Sequence, residues 1–217
     1  MKDRSLFLLT AYAIILVQLA ISFGITYQGR KMESVISRIP NKWVLFGLLI
    51  LVIVILTLVP MPLPLKFLVF TIFAIIIGLL LLKITYKFDI EFVNKALVGS
   101  ILTFVVMSVI GYTLFQIGYS FAFLSAILMF VLIALIITGI VFMFVKVSKP
   151  VYKVYLSIIF ITMAILTAHD TNVIMDKNYF GDVIDAALAL YLNIINMFES
   201  LFNIEVLDML MEGGKKQ

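Results

Sequence analysis

Residues 96–145 read ALVGSILTFVVMSVIGYTLFQIGYSFAFLSAILMFVLIALIITGIVFMFV, and none of them is charged. A membrane-spanning helix needs roughly 20 apolar residues to cross about 30 Å of hydrocarbon. The stretch is therefore too long for one span and predicts two. Its most polar segment, QIGYS at 116–120, marks the division, so we expect spans over residues 95–115 and 121–145.

The composition of the whole chain is that of a membrane protein. Of its 217 residues, 64% are hydrophobic and 13% are charged, whereas a soluble domain is about 45–50% apolar and about 25% charged. Too little polar surface is available to cover a water-soluble globule, so we expect a single membrane domain over residues 1–217. The net charge of +4 is spread over short segments between apolar runs, which favours a role in membrane topology over nucleic-acid binding.

Further apolar runs have the length of a span and are separated by charged or proline-containing breaks. They cover residues 6–27, 43–59, 65–84, 151–175 and 183–202. The sequence thus predicts an all-α integral membrane protein, a bundle of seven transmembrane helices.

The last of these runs is the most polar. Small and polar residues recur in it at steps of three and four, and therefore share one helical face: Ala186, Ala189, Asn193, Asn196 and Ser200. Such a face allows close helix approach or lines an aqueous path. This pattern favours a central, more polar C-terminal helix, and the alternative is an amphipathic helix lying on the membrane surface.

Asp170 is the strongest single candidate for a functional side chain. It precedes Asp176 by six residues, which places it roughly 9 Å inside the end of the sixth span at about 1.5 Å per residue. Ionisable residues inside spans are costly and usually face the bundle interior or a cavity. The alternative is a boundary carboxylate that reaches back to the interface. His169 lies beside it, either as a sensor or as a hydrogen-bonded packing residue.

The residue types that most catalytic and metal sites require are scarce. The chain has no cysteine and one histidine, which excludes cysteine-based zinc sites, iron–sulfur ligation, thiol nucleophiles and multi-histidine metal sites. Intramembrane proteolysis by aspartates needs two catalytic carboxylates, and a serine type needs a histidine base on a suitable face. His169 near Thr167 or Ser157 is too little for the latter, so we predict no enzyme activity and no tightly bound cofactor.

Two segments resemble the end of the Bax inhibitor (lifeguard) family. The chain has His-Asp-Thr-Asn at 169–172 and, after a short acidic turn, AALALYLNIINMF at 186–198. The family typically shows aromatic-Asp-Thr and then Leu-Tyr-Leu-Asp-hydrophobic-Ile-Asn-Leu-Phe. The order and length of the spans also agree over nearly the whole chain. The resemblance implies six helices around a central polar seventh and a pH-sensitive calcium leak, with restraint of cell death in eukaryotes.

The chain departs from the family pattern at two positions of this motif. His169 stands where the family has an aromatic residue, and Asn193 stands where it has a second aspartate. The resemblance implies that the two family carboxylates share a proton and gate the pore, and one amide in the pair removes that coupling. Because an asparagine can donate its NH2 group to the carboxylate of Asp170 without a proton from solvent, we expect a hydrogen-bonded latch over a wide pH range. His169 is the alternative source of pH dependence.

These expectations define a candidate site and two candidate functions. Asp170 and Asn193 form the candidate calcium or gate site, and His169, Thr171 and Asn196 complete the predicted pore or gate. Calcium accepts carboxylate and amide oxygens, so Ca²⁺ is expected as a permeant or weakly bound ion. The first function is a calcium-permeable leak channel, and the alternative is a non-conducting scaffold for other membrane proteins. The expected location is the plasma membrane of a bacterium, or the reticulum or Golgi membrane for a eukaryotic or viral protein.

Overall fold

A computed structural model describes residues 2–176, 179 and 181–213, and this part of the chain is helical without a strand. Its α-helices are α1 (Lys2–Gly29), α2 (Glu33–Arg38), α3 (Lys42–Leu58), α4 (Leu63–Thr85), α5 (Ile90–Gln116), α6 (Ser125–Phe144), α7 (Lys149–Met175) and α8 (Val183–Gly213). A single 3₁₀ turn, Ala122–Leu124, precedes α6. The remaining positions of the predicted domain (1, 177, 178, 180 and 214–217) lie outside the described residues.

Proline fixes the start of two long helices. Pro62 is the N-cap of α4 and Pro64 lies in its first turn, where a missing N–H costs no intrahelical hydrogen bond. Pro150 occupies the same place in α7. The expected breaks are therefore present, but each is shorter than the proline pattern suggested, because Pro64 and Pro150 belong to the helices that follow.

Six helices in the described part of the chain are long and apolar enough to cross a membrane. They correspond to the predicted spans 6–27, 65–84, 95–115, 121–145, 151–175 and 183–202. The predicted span 43–59 forms α3, but this apolar helix has 17 residues. At about 1.5 Å per residue it is about 26 Å long, so the count of seven spans stays a prediction.

The last helix is longer than its apolar run. It has 31 residues and ends at Gly213, whereas the hydrophobic pattern predicted an end at residue 202. The extension carries polar side chains that find partners, as Asp208 pairs with Lys153 of α7 at 2.5 Å. Hydropathy alone placed the end too early, because it does not register such pairing.

The chain divides into two compact units, and the prediction of a single membrane domain remains a prediction. The first unit comprises residues 1–89 and 180–191. In it α1 packs closely on α4: the hydroxyl of Ser22 donates to the carbonyl of Ala74 at 2.8 Å and lies 2.6 Å from the hydroxyl of Tyr191. The ring of Tyr191 is completely buried and meets Phe70 edge-on at 5.4 Å.

The second unit comprises residues 90–179 and 192–217. Here α5 lies against α7 so closely that a Cβ atom on Gly111 would collide with the backbone of Ala168. In α6, by contrast, Leu128 alone is buried. A helix that exposes nearly all of its apolar side chains requires a non-aqueous surrounding, and this agrees with its assignment as a span.

Candidate functional site

The carboxylate of Asp170 is held by two donors from different parts of the second unit. Asp170 lies in α7, about one and a half turns before the helix ends at Met175, and its side chain is 21% exposed. Oδ2 accepts a hydrogen bond from Nδ2 of Asn193 at 2.8 Å, and Oδ1 lies 3.0 Å from Nδ1 of His169. Each carboxylate oxygen therefore has a partner.

Asn193 reaches this carboxylate from α8. The residue is 5% exposed, so its amide is removed from bulk solvent. A hydrogen bond to an ionised acceptor is stronger than one between neutral groups, and loss of the bond would leave both groups short of a partner. The helical stripe that contained Asn193 thus presents an amide to the candidate carboxylate.

His169 connects the carboxylate to a third helix. The imidazole Nε2 lies 2.8 Å from Oγ of Ser125, the first residue of α6. With Nδ1 facing Asp170, the ring bridges a hydroxyl and a carboxylate, which fixes its orientation. His169 is therefore a hydrogen-bonded residue of the site and is 7% exposed.

The order Ser125, His169, Asp170 resembles the nucleophile, base and orienting carboxylate of a serine hydrolase. Acyl transfer also needs N–H donors aimed at a developing oxyanion. Among the N–H groups near Ser125, four are engaged: that of Phe121 by Asn172, that of Ala122 by Ser120, that of Leu124 by the carbonyl of Phe121, and that of Ser125 by the carbonyl of Ala122. The contacts of His169 tie the start of α6 to α7.

Asn172 is a structural member of the site that the sequence did not single out. It is completely buried. Its Oδ1 accepts from the N–H of Phe121 at 2.8 Å, and its Nδ2 donates to the carbonyls of Gly111 at 3.2 Å and Tyr119 at 2.9 Å. One amide thus fixes the turn between α5 and α6 against α7, two residues from Asp170. The sequence signal that could have indicated Asn172 was its place as the last residue of the motif at 169–172.

The two remaining predicted gate residues are Thr171 and Asn196. Thr171 is completely buried. Asn196 donates its amide to the carbonyl of Leu192 in its own helix at 2.8 Å, while both oxygens of Asp170 are occupied by His169 and Asn193. The structure therefore joins Asp170, Asn193 and His169, adds Ser125, and gives the amide of Asn196 a partner in its own helix.

Asp170 contributes the carboxylate of the candidate calcium site. No group of three or more histidine, cysteine, aspartate or glutamate side chains within the described ranges could hold a metal ion. Calcium prefers six to eight oxygen ligands, and here the two carboxylate oxygens accept from nitrogen donors. A cation that binds the Asp170 carboxylate must therefore compete with these two nitrogen groups.

Comparison with known proteins places the chain in a recognised sequence family. The family model described as Bax1-I, inhibitor of apoptosis-promoting Bax1, matches residues 4–213. This range is nearly the whole chain and includes every helix that carries the site. No curated protein matches the sequence.

Proposed function

The chain belongs to the Bax inhibitor family and is an integral membrane protein, and we propose that it is a calcium-permeable leak channel gated by the contact between Asp170 and Asn193. The observation that supports this proposal most is the 2.8 Å hydrogen bond between these side chains. It joins the carboxylate of one long helix to the amide of the next. In this proposal the leak lowers stored calcium and, in a eukaryotic cell, restrains cell death.

Opening of the gate separates Asn193 from Asp170. A hydrogen bond to a charged group contributes about 1.5–3 kcal/mol, which is small enough for thermal opening and large enough to keep the gate mostly closed. Ca²⁺ competes with the amide for the same oxygen, because a carboxylate is among its preferred ligands. The ion thus favours the open state while it passes.

The pH dependence of this gate differs from that of a pair of carboxylates. An amide has no proton to share, so the latch persists at any pH at which Asp170 is ionised. His169, which contacts the other oxygen of Asp170, is the alternative source of pH dependence. A positive charge on its ring would lie beside Asp170 and oppose entry of Ca²⁺, so we expect any decrease of flux towards acidic pH to be shallow and to depend on His169.

Calcium flux into proteoliposomes, measured against pH, tests the proposal. We expect Asp170→Asn to change the flux while the protein remains folded, and His169→Ala to flatten the pH profile. The matched control is Asp208→Asn, which removes a carboxylate that pairs with Lys153. A steep dependence near neutral pH that survives His169→Ala would contradict the amide latch. Absence of flux at every pH from folded protein would contradict the channel and favour the scaffold.

The proposal includes seven spans, with α3 as the short one and the polar α8 as the central helix. Because the chain contains no cysteine, single cysteines can be placed at exposed positions on either side of α3 without background labelling. Lys42→Cys and Pro60→Cys are suitable, since both residues are exposed. If α3 crosses the membrane, an impermeant thiol reagent labels the two variants from opposite sides. Labelling of both from one side would leave six spans.

A further inference from the structure

A cavity of about 900 Å³ lies in the second unit, away from Asp170. It is bounded by the end of α6, the connection at 145–147, the start of α7 and the middle of α8. Its volume is within the range of about 300–1,000 Å³ that is typical of small-molecule sites. Because α6 and α7 are both candidate spans, their connection lies at the level of lipid headgroups.

One wall of the cavity is a face of α8 rich in oxygen acceptors. Asn196, Glu199 and Asn203 all line it. Each of the two asparagines donates an N–H to a carbonyl of its own helix at 2.8 Å, so the amide oxygens remain as acceptors. The carboxylate of Glu199, which lines the cavity, makes no hydrogen bond or ion pair within the described part of the chain.

A carboxylate inside a membrane helix is costly unless it has a partner. Water is one such partner, but it does not explain why the opposite wall of the cavity is aromatic. Phe142, Tyr152 and Tyr155 line this wall. The rings of Phe142 and Tyr155 meet edge-on at 5.0 Å, and those of Tyr152 and Tyr155 are stacked at 6.1 Å. Aromatic faces beside a carboxylate are the surroundings that bind an organic ammonium group.

The cavity also carries positive charge, from Lys146 and Lys149. Both residues are exposed, and Lys146 has no ion pair among the residues with described side chains. Lysine ammonium groups bind phosphate oxygens as point charges. A ligand that satisfies both ends of the cavity therefore contains an ammonium group and a phosphate group in one molecule.

The cavity wall continues into the lipid-facing surface of α6. Met143 and Phe144 line the cavity, and Phe144 is 83% exposed. A ligand whose polar head occupies the cavity can thus leave its apolar chains in the bilayer.

We propose that this cavity binds the headgroup of an aminophospholipid. The ammonium group lies between Glu199 and the tyrosine rings, and the phosphate lies at Lys146 and Lys149. Glu199 then gains a direct ion-pair partner, which none of the described side chains gives it. The site is separate from the Asp170 contact, so it stands whether or not the chain conducts calcium.

Native mass spectrometry of the full chain tests this site. The detergent-solubilised protein is incubated with equal amounts of phosphatidylethanolamine and phosphatidylglycerol that have identical acyl chains. Both lipids offer a phosphate, but only the first offers an ammonium group. We expect the wild-type chain to retain the ethanolamine lipid preferentially. Glu199→Gln should lower the ratio of retained ethanolamine lipid to retained glycerol lipid at least fivefold, which corresponds to about 1 kcal/mol of binding free energy.

Further variants separate the contributions to binding. Glu205→Gln is the matched control, because Glu205 lies on the same helix and does not line the cavity; its ratio should equal that of wild type. Lys146→Ala should lower retention of both lipids, and Tyr152→Leu should lower retention of the ethanolamine lipid even if the Glu199 variant does not fold. Equal retention of both lipids by wild type would overturn the proposal. Displacement of the ethanolamine lipid by CaCl₂ that requires Glu199 would instead assign the cavity to a divalent cation.

Discussion

The amide of Asn193 donates a hydrogen bond to the carboxylate of Asp170 over 2.8 Å, while His169 contacts the other oxygen of the same carboxylate at 3.0 Å. One oxygen of Asp170 therefore faces an amide, which has no titratable proton, and the other faces an imidazole. The first contact ties α7 to α8. The second is the alternative source of pH dependence in the proposed gate.

Replacement Asn193→Asp should convert the latch into a pair of carboxylates. Two carboxylates in contact titrate as a coupled unit, and they repel each other when both are ionised. We expect the variant to conduct more calcium at alkaline pH, where the pair separates, and less at acidic pH, where a shared proton holds it together. Proteoliposome flux across the pH range should therefore change from a shallow to a steep profile.

The matched control for this variant is Asn196→Asp. It makes the same chemical change three residues further along α8, at an amide that bonds to its own helix. Its pH profile should stay close to that of wild type. Equal steepening by both variants would show that any added charge in α8 has this effect, and the specific role of the 193 position would be lost.

Six of the seven predicted apolar runs correspond to helices long and apolar enough to cross a membrane, because each such helix depends on a local run of apolar residues. It also predicted that Asn193 could donate to Asp170, from the chemistry of an amide beside a carboxylate and from the resemblance at 169–198. It did not predict Ser125 as the partner of His169. That contact joins residues 44 apart in the chain, and Ser125 lies in a run that is otherwise uniformly apolar, where a lone serine carries no local signal.

Asn172 was missed for a related reason. Its three hydrogen bonds are made to backbone groups of residues 51 to 61 positions away, and backbone groups leave no trace in the pattern of side chains. Local sequence patterns therefore predict the helices, but they do not predict the long-range contacts that fix the helices against one another.

Replacement Asn172→Ala should destabilise the protein strongly. It leaves the N–H of Phe121 and the carbonyl of Tyr119 without their side-chain partner and removes the additional bond at the carbonyl of Gly111, and a buried polar group left unsatisfied costs about 1–3 kcal/mol. We expect a loss on the order of 3 kcal/mol, seen as a lower Tm of the detergent-solubilised protein. Asn203→Ala is the control, because that side chain donates to its own helix. A comparable fall in Tm for both would contradict the assigned role.

The N-terminus of α8 should depend on the ionisation of Asp182. Oδ1 of Asp182 accepts from the N–H groups of Ile184 at 2.8 Å and Asp185 at 3.0 Å, and Oδ2 pairs with Lys66 at 2.7 Å. Burial raises the pKa of this carboxyl, but the hydrogen bonds from Lys66 and from the two backbone N–H groups outweigh it and hold the pKa below the ordinary 3.8. The stabilisation is therefore present above pH 3.8 and is lost as the pH falls through that value towards the pKa of the folded protein.

Two variants separate the cap from the ion pair. Asp182→Ala removes both, and loss of a cap alone costs about 0.5–2 kcal/mol. Asp182→Asn keeps a side-chain oxygen for the cap and removes the charge, so its loss of stability at neutral pH should be smaller than that of Asp182→Ala. Position 182 should then no longer contribute to acid sensitivity. Thermal unfolding at neutral pH and below pH 3.8 measures both effects. Equal Tm values for the two variants at neutral pH would mean that the cap contributes nothing.

Gly111 should tolerate no side chain, because α5 approaches α7 through its bare Cα. An added Cβ would meet the carbonyl oxygen, carbonyl carbon and Cα of Ala168, and backbone atoms cannot move aside as the end of a side chain can. Alanine has a better helix propensity than glycine by about 1 kcal/mol, but overpacking costs about 1–3 kcal/mol, and the displaced helix would also weaken the bond from Asn172 to the Gly111 carbonyl. We therefore expect Gly111→Ala to lower the Tm.

Gly24→Ala provides the contrast, since an added Cβ there meets nothing within 4 Å, and its Tm should be equal or higher. If Gly111→Ala proved as stable as Gly24→Ala, the close approach of α5 to α7 would not be needed. That approach could then not be what positions Asn172 and Asp170.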